Sequence, residues 1–393
     1  MTTFFLNELG IACALGRDVD QVATALFADD TPRGVAVTDA VTGAATSLGL
    51  VPGALPSLDD MPVELRGRNN QLLRLALAPL RNAVAEVVAR HGADRVAVVL
   101  GSSTSGVGES EDAHRYFQAH GTWPEAFHYR QQEMGTPAMF VATELGLRGP
   151  AHVISTACSS SAKAMASAAR LLKAGMADAV ITGGADSLCR FTVAGFSALG
   201  SVSVARCNPF SANRNGINIG EGAALFLMTR EPGPVHLAGW GETSDAHHMS
   251  APDPDGKGAE RAIRDALARA GIAASDIDYV NLHGTATPQN DAMEAGAVQR
   301  TLGVDVPCSS TKPLTGHALG AAGAIEAGLC WIALARNPDR RLPPHWWDGV
   351  ADPALAPIRL VRPGERADAP LRHALSQSFA FGGSNAALIL GVG

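Results

Sequence analysis

The sequence lacks several patterns that would assign it to a common class of proteins. No stretch of its 393 residues approaches the roughly 20 apolar residues of a membrane-spanning helix. Runs of lysine and arginine are absent and the formal net charge is −7, which argues against nucleic acid as a partner. Low-complexity segments are also missing, and a composition of 46% hydrophobic and 18% charged residues predicts a globular protein with a large core.

Cysteine is sparse and irregularly spaced. The six cysteines form no Cys-x-x-Cys pair and are separated by unequal gaps: Cys13, Cys158, Cys189, Cys207, Cys308 and Cys330. This spacing does not fit a disulfide framework and predicts buried, reduced thiols. The N-terminus lacks the continuous apolar core of a signal peptide, because Asn7 and Glu8 interrupt it. We therefore expect a cytoplasmic protein.

One cysteine lies where a predicted strand gives way to a predicted helix. Residues 152–155 favour a short buried strand, and residues 162–174 favour a small-residue helix that ends before Gly175. Cys158 lies between them, next to a helix N-terminus, which stabilises a thiolate and offers a backbone N–H to an oxyanion. We expect a thiol more acidic than that of free cysteine. The position also suits a small buried cysteine that only packs against the start of a helix.

Two histidines occupy distinctive turns. His283 follows the apolar run Tyr-Val-Asn-Leu and opens His-Gly-Thr-Ala-Thr (283–287), whereas His317 ends Ser-Thr-Lys-Pro-Leu-Thr-Gly-His (310–317) before a glycine- and alanine-rich helix. At a positive helix end, His317 should stay neutral and donate from its imidazole N–H. Each histidine alone also fits a purely structural role. One thiol with two imidazoles, however, is what an acyl-transfer site requires.

Taken together, these segments resemble the β-ketoacyl-[acyl-carrier-protein] synthases of the thiolase superfamily, of the elongating Cys-His-His type. The likeness covers nearly the whole chain in family order, through residues 148–161, 181–186, 208–211, 220–223, 283–287, 310–317 and 379–385. It implies an α/β thiolase fold with five layers (αβαβα), built from two duplicated halves with mixed sheets.

The resemblance also implies roles for individual residues. Cys158 would accept the acyl chain, with its own N–H and that of Phe381 as the oxyanion hole, and Phe381 would also be the gate. His283 and His317 would stabilise the enolate. Lys312 and Glu326 would form a supporting ion pair. Thr285 and Thr287 would contact the phosphopantetheine arm. The reaction implied is decarboxylative condensation with malonyl-acyl carrier protein. It needs no metal and no cofactor, and we find no metal-ligand cluster or phosphate-binding loop in the sequence.

The implied partners are acyl carrier protein and a second ketosynthase-like chain. Acyl carrier proteins are acidic, so docking should depend on local basic residues, for which Arg66, Arg68 and Arg206 are candidates. A homodimer is expected, with the stretch 134–140 contributing across the interface. A heterodimer with a chain-length partner is the other possibility.

Three features depart from the common family pattern. The gate loop, residues 379–383, has Ala380 where glycine is usual, which should restrict a hinge. Ser211, Asn213 and Asn215 stand where aspartates are frequent. Lys163 stands where many relatives are apolar, which suggests a surface or interface lysine. Together with residues 245–254, Ala380 and the asparagines look more like synthases of the aryl-polyene pathway than those of fatty-acid elongation.

The pattern along the chain predicts two alternating halves. Strands are expected near 95–100, 151–155, 179–182, 223–228, 235–238, 279–282, 374–377 and 386–390, and helices near 70–90, 159–174, 257–270, 291–302 and 320–335. The break at Pro-Gly-Pro (232–234) divides the chain into an N-terminal half, 1–231, and a C-terminal half, 232–393.

Three rival functions remain. A thiolase would need a second catalytic cysteine near the C-terminus, and the last cysteine, Cys330, falls in a predicted helix. A priming synthase would have asparagine in place of the second histidine. A non-catalytic chain-length subunit would bind and shape the product, but such subunits usually lack the nucleophile.

Overall fold

The structure is a computed structural model that describes residues 3–392. Its strands are β1 (Phe5–Ala12), β2 (Ala36–Thr38), β3 (Thr46–Leu48), β4 (Val96–Gly101), β5 (Ala151–Ile154), β6 (Ala179–Asp186), β7 (Gly222–Thr229), β8 (Val235–Ser244), β9 (Tyr279–Asn281), β10 (Pro307–Ser309), β11 (Arg359–Leu360), β12 (His373–Ala380) and β13 (Ser384–Val392). Its helices are α1 (Val19–Leu26), α2 (Arg68–Leu77), α3 (Arg81–His91), α4 (Val107–His120), α5 (Thr136–Leu145), α6 (Ser160–Lys173), α7 (Arg190–Ala198), α8 (Lys257–Ala270), α9 (Pro288–Leu302), α10 (Lys312–Thr315) and α11 (Ala322–Ala335).

The strand order repeats between the two parts of the chain. Eleven strands follow one another as β11-β10-β9-β12-β13-β8-β1-β7-β6-β4-β5, and β2 pairs with β3 separately. From β1 outward to β5 the pairings are antiparallel, antiparallel, parallel and parallel. From β8 outward to β10 the pairings follow the same order: antiparallel, antiparallel, parallel and parallel. The predicted duplication is therefore confirmed, and the two copies join where Phe5 and Leu6 pair with β8.

Alternating side chains of these strands enter separate cores, which defines the layers. In β4, Val98 and Leu100 join an outer core with residues of α2 and α5, whereas Val99 joins the central core with residues of α6 and α11. In the second copy, Ile389 packs into an outer core with residues of α8 and α9, and Leu388 packs into the central core. Because both faces of the sheet are buried, the five-layer α/β fold predicted above is confirmed.

Local chemistry explains where the structure departs from the predicted elements. The helix predicted over 70–90 is two helices, α2 and α3, separated by a 3₁₀ turn that contains Pro79, because proline lacks the N–H that would continue the helix. Strand β1 was not predicted. Its apolar alternation is interrupted where the pairing register shifts between Leu6 and Glu8. Helices α1, α4, α5, α7 and α10 and strands β2, β3, β10 and β11 were also missed.

Two further predictions concern the whole chain. All six cysteines are buried and free, as expected for reduced thiols. Among the helices of residues 3–392, none combines the length and the apolarity that a bilayer crossing requires. The connection between β7 and β8 contains the boundary predicted at residue 231, which as a domain boundary stays a prediction.

Candidate active site

Cys158 lies in a tight turn between β5 and α6. Ala157 has a positive φ of 53°, a conformation that costs free energy for a residue with a Cβ. The Ser160 hydroxyl holds this turn, because it accepts a hydrogen bond from the N–H of Thr156 at 2.9 Å and donates one to the carbonyl of Ala157 at 2.5 Å. The turn brings the thiol to the start of α6 with only 6% of Cys158 exposed.

His317 reaches the thiol from the connection between α10 and α11. Its Nε2 is 3.0 Å from the Sγ of Cys158. The main chain fixes this position, because the N–H of His317 donates to Asn218 at 2.7 Å and its carbonyl accepts from Gly220 at 3.0 Å. The helix predicted directly after His317 begins instead with a 3₁₀ turn and becomes α-helical at Ala322.

His283 lies beside His317 at the end of β9. The two ring centroids are 5.3 Å apart, with the rings nearly perpendicular. Glu294 on α9 holds the turn, since its carboxylate accepts from the N–H groups of His283 and Gly284 at 2.6 and 2.7 Å. The Nδ1 of His283 is 3.5 Å from the Nζ of Lys312. An ammonium donates to this nitrogen, which leaves Nε2 to carry the imidazole proton toward the cavity.

Burial controls the protonation of the site. It lowers the pKa of both His283 and His317 well below the usual value, with the charge of Lys312 acting in the same direction. The expectation that His317 is neutral is confirmed, although the causes are burial and Lys312. The expectation of an acidic thiol is wrong, because burial raises the pKa of Cys158 to about 11, against the opposing effects of Lys312 and the Phe381 N–H.

Lys312 and Glu326 form the predicted pair in the interior, where both side chains are almost completely buried. Burial raises the pKa of Glu326 to about 7, and the neighbouring Lys312 opposes this rise. Since a buried charge without a partner is costly, each side chain compensates the other behind the histidines.

A cavity of 310 Å³ leads from the surface to the thiol. Besides the three candidate catalytic residues, its lining includes Thr285, Thr287 and Phe381. The two threonine hydroxyls are 2.9 Å apart, and the Phe381 ring centroid lies 5.8 Å from that of Phe196. Among residues 3–392, the lining contains no acidic side chain and no lysine or arginine. Such a lining suits an uncharged group.

The gate loop is a short connection between β12 and β13. Ala380 is extended, with φ −95° and ψ 154°, whereas Gly382 and Gly383 have φ values of 82° and 75°. The extended conformation is open to any residue, so the Cβ of Ala380 adds no backbone strain. The two residues with left-handed φ values are both glycines, which adopt them readily. The proposed restriction of the hinge by Ala380 stays a prediction about its motion.

Two of the departures from the family pattern have structural partners. Lys163 is half-buried, and its ammonium donates at 2.6 Å to the hydroxyl of Ser384, the first residue after the gate loop. Asn213 donates to the carboxylate of Asp348 at 2.9 Å, and Ser211 donates to the same carboxylate at 2.8 Å. Asp348 therefore supplies a carboxylate to two neutral donors of this loop. Asn215 lines the entrance cavity.

The three candidate docking arginines are bound within their own chain. Arg66 donates to the main-chain oxygens of Asp59 and Met61, and Arg206 donates to that of Val35 at 2.6 Å. Arg68 pairs with the fully buried Glu221 through Nε at 2.7 Å. Arg66 and Arg68 line one surface cleft, and Arg206 is not part of it. Their role in docking stays a prediction.

The predicted interface segment is only partly available on the surface. Phe140 is fully buried in an outer core of its own chain, whereas Met139 is 45% exposed. Phe140 therefore cannot contribute to a partner's pocket as proposed, because its side chain already packs inside this subunit.

Sequence reasoning missed the buried carboxylates that position the site. Asp186 accepts hydrogen bonds from residues 102–104 and from the N–H of Ala321, which fixes the connection after His317. Asp291 accepts from the N–H groups of Phe210 and Ala286, next to Glu294. A signal was present, because Asp291 and Glu294 share the helix face that carries Ala295 and Val298, where acidic side chains are unexpected.

The thiol and the two imidazoles have donor atoms that could hold a metal ion. One atom each from Cys158, His283 and His317 lies within 4.8 Å of the others. The sequence showed no metal-ligand cluster, because Cys158 and His317 are 159 residues apart. That the reaction needs no metal stays a prediction.

Comparison with known proteins identifies the family. The model of the beta-ketoacyl synthase N-terminal domain matches residues 66–232, and that of the C-terminal domain matches residues 235–345. The 3-oxoacyl-[acyl-carrier-protein] synthase 2 of Staphylococcus aureus is 33% identical over 345 residues, covering 82% of this chain and 84% of that protein. The corresponding protein of Rhizobium meliloti is 40% identical over 263 residues, which cover 62% of this chain and 61% of its own length.

Solved structures are similar over the full length. The ketosynthase ApeO of Xenorhabdus doucetiae, solved in complex with its chain length factor ApeC, is 44% identical with a TM-score of 0.90, covering 100% of this chain and 98% of its own. A beta-ketoacyl synthase from Burkholderia phymatum is 29% identical with a TM-score of 0.87, covering 100% of both chains. The chain belongs to the beta-ketoacyl synthase family.

Proposed function

We propose that this chain is the reactive subunit of a ketosynthase that condenses an acyl chain, held on Cys158, with malonyl-acyl carrier protein. The products are 3-oxoacyl-acyl carrier protein and carbon dioxide. The observation that carries the proposal is the approach of His317 Nε2 to Cys158 Sγ at 3.0 Å, with His283 at the same cavity end. A thiol and two neutral imidazoles suit the formation of an acyl-cysteine and the stabilisation of an enolate.

The first half-reaction forms the acyl-enzyme. The sulfur of Cys158 attacks the acyl thioester, the acyl–cysteine bond forms, and the carrier leaves with its thiol protonated by the proton that Cys158 loses. Because the resting thiol has a pKa of about 11, this proton must leave as the bond forms, while His317 keeps its own imidazole proton and its Nε2, 3.0 Å from the sulfur, donates to the sulfur. The N–H of Phe381 faces the Cys158 thiol and lowers its pKa, so with the N–H of Cys158 it would donate to the oxyanion that forms on the attacked carbonyl.

The second half-reaction uses the imidazoles as donors. Malonyl thioester loses carbon dioxide, and the enolate oxygen that forms accepts hydrogen bonds from His283 and His317. The enolate carbon then attacks the acyl-cysteine carbonyl, the carbon–sulfur bond to Cys158 breaks, and the thiolate takes a proton from solvent. Neutral imidazoles suit this role because they donate a hydrogen bond without first losing a charge.

Thr285 and Thr287 are proposed to hydrogen-bond the phosphopantetheine arm of the carrier protein. Both line the entrance cavity, and their hydroxyls lie 2.9 Å apart. No dedicated cofactor is part of the proposed reaction, because the substrates arrive on the carrier protein.

The partner is proposed to be a chain length factor, in an aryl-polyene or related pathway. The support is the 44% identity to ApeO, whose structure contains its chain length factor. The ishigamide ketosynthase/chain length factor is a second similar structure, at 27% identity and a TM-score of 0.86. A homodimer is the competing assembly. The alternative role as a non-catalytic subunit is disfavoured because Cys158 and both histidines are present together at one cavity.

Substrate and assembly can be tested together. The chain is purified alone and after co-expression with a chain length factor homologue, and each preparation is incubated with malonyl carrier protein and saturated, unsaturated and aryl acyl carriers. We expect activity with unsaturated or aryl chains from a 1:1 complex. If the chain purified alone is instead active at twice its 40.5 kDa mass and prefers saturated acyl chains, that result would support a homodimer in fatty-acid elongation.

Docking requires a different test. Reversing Arg68 to glutamate would place a second carboxylate against the buried Glu221 and destabilise the fold. Arg66→Ala is the cleaner variant, because Arg66 has main-chain partners only. We expect it to raise the KM for a carrier-linked acyl group and to leave a pantetheine thioester unaffected, with Arg362→Ala in a distant cleft as the control. Equal KM changes with both substrates would exclude Arg66 from docking.

A further inference from the structure

We propose that Cys158, His283 and His317 also form a binding site for one soft divalent transition metal ion, with Zn²⁺ as the physiological candidate. Binding would convert the nucleophile into a metal ligand. The site would thus be inhibitory and reversible, and distinct from a catalytic cofactor.

The geometry is close to that of a zinc site. The three donor atoms lie within 4.8 Å of one another, and Cys158 Sγ and His317 Nε2 are already 3.0 Å apart. With bonds of about 2.0–2.3 Å, a tetrahedral zinc ion holds its sulfur and nitrogen ligands roughly 3.3–3.6 Å apart. Movements of about an ångström, mainly by the His283 ring, would be enough to close the site.

The donor set determines which metals fit. One sulfur and two imidazole nitrogens suit Zn²⁺ and Co²⁺, whereas Mg²⁺ and Ca²⁺ prefer oxygen donors, of which the three ligands have none. Because Nδ1 of His283 faces Lys312, Nε2 is the nitrogen available to the metal. On binding, the Cys158 thiol releases its proton to solvent and the metal–sulfur bond forms, with no oxidant or reductant required.

The surroundings support these ligands. The His283 turn is held by Glu294, and the backbone of His317 is held by Asn218. Such contacts outside the ligand set orient the ligands and improve affinity. Lys312 pairs with Glu326, which offsets part of its positive charge near the metal. The entrance cavity supplies a route to the site and room for a water as the fourth ligand.

Cobalt spectroscopy tests the site without measuring catalysis. The purified protein, in buffer without thiols, is titrated with Co²⁺ and then with Zn²⁺. We expect one equivalent of Co²⁺ to produce the intense visible bands of four-coordinate cobalt together with a near-ultraviolet thiolate-to-cobalt band, and Zn²⁺ to remove both. Cys158→Ala should lose the thiolate band, and Zn²⁺ should bind about 100-fold more weakly. Replacing either histidine with alanine should weaken binding about tenfold or more.

Two controls separate this site from other thiols and from misfolding. Cys189→Ser changes a cysteine at a different surface cleft and should leave the spectrum unchanged. Wild-type protein alkylated at Cys158 with iodoacetamide tests the site without any substitution, and should also lose the thiolate band. The proposal would be overturned if the wild-type protein had no such band at saturating Co²⁺. It would also be overturned if the Zn²⁺ affinities of wild type and Cys158→Ala differed by less than threefold.

Inhibition is a separate measurement, and it rests on the proposed function. Zn²⁺ should stop condensation, EDTA should restore it, and protein already acylated on Cys158 should resist Zn²⁺. If the cobalt bands appear but no condensation is found with any carrier, the metal site stands and the proposed reaction fails. Full condensation in the presence of saturating, bound Zn²⁺ would overturn the inhibitory role.

Discussion

The Nε2 of His317 lies 3.0 Å from the Sγ of Cys158, although the two residues belong to different copies of the duplicated fold. The Cys158 turn follows β5 in the first copy, and His317 follows β10 in the second, at the corresponding strand. Helices α6 and α11 begin close to these turns and pack against each other in the central layer. The site is therefore assembled where the two copies meet, and disturbing the central layer should disturb both residues.

The buried thiol should be slow to alkylate at neutral pH. Because burial raises the pKa of Cys158 to about 11, the thiolate fraction and the rate should rise about tenfold per pH unit between about pH 7 and 9. Iodoacetamide labelling followed by intact mass measures this rate, and Cys158→Ala supplies the background from the other five buried cysteines. A rate that is constant above pH 7 would show an acidic thiol and contradict the effect of burial.

Acid should destabilise the protein through the two histidines. Their folded-state pKa values are well below the unfolded value of 6.5, so the unfolded chain binds more protons as the pH falls below 6.5. The histidines should lower the free energy of unfolding in that range by up to about 1.4 kcal/mol per pH unit each. The buried carboxyls of Glu326 and Glu294 act in the opposite direction, because burial raises their pKa values to about 7 and about 8. Urea denaturation between about pH 7 and 5 measures the slope. His283→Asn and His317→Asn should each have a shallower slope, and an unchanged slope in both would contradict the account.

Replacing the histidines should separate the two half-reactions. If both donate to the enolate, His283→Ala and His317→Ala should each lose about 3 kcal/mol of stabilisation, or roughly a hundredfold in decarboxylation rate. Acylation of Cys158 should fall much less in His283→Ala. Carbon dioxide release and acyl-enzyme mass, measured on the same samples, report the two steps. A variant that releases carbon dioxide at close to the wild-type rate would assign that histidine a structural role.

The Lys163–Ser384 hydrogen bond should affect the gate. Lys163 connects α6 to the end of the gate loop, so Lys163→Met keeps the apolar stem but removes a bond worth about 0.5–1.5 kcal/mol. We expect a change of roughly two- to tenfold in the acylation rate with a carrier-linked substrate, and little loss of stability. Lys173→Met, on an exposed position of the same helix, is the control. If the two variants acylate at equal rates, the bond has no role in gating.

The sequence predicted the fold better than the electrostatics. Continuous apolar strands such as 179–182 and the small-residue helix after Cys158 are local signals, and the structure contains both. Family resemblance supplied the residues that converge on the cavity. The thiol pKa could not be read from the sequence, because it depends on burial by elements distant in the chain. The same holds for Phe140, whose interior packing overrides its position in an apolar stretch expected at an interface.

The buried carboxylates show a second limit. Asp186 ends an apolar strand and Glu294 lies on the buried face of α9, so their burial could be suspected from the strand pattern and the helix face. The hydrogen-bond partners of these carboxylates could not be predicted, because the N–H groups that donate to them lie in turns with irregular backbone geometry. Such turns have no periodic signal in the sequence.

Intact-mass analysis of Cys158→Ala beside wild type tests the central claim most directly. Both proteins are incubated with acyl-acyl carrier protein, and malonyl-acyl carrier protein is then added. Wild type should gain the mass of one acyl group and lose it when the 3-oxoacyl product forms, whereas Cys158→Ala should gain no mass and form no product, with its fold intact by circular dichroism. A stable acyl adduct on folded Cys158→Ala, or condensation by that variant, would contradict the assignment of Cys158 as the nucleophile.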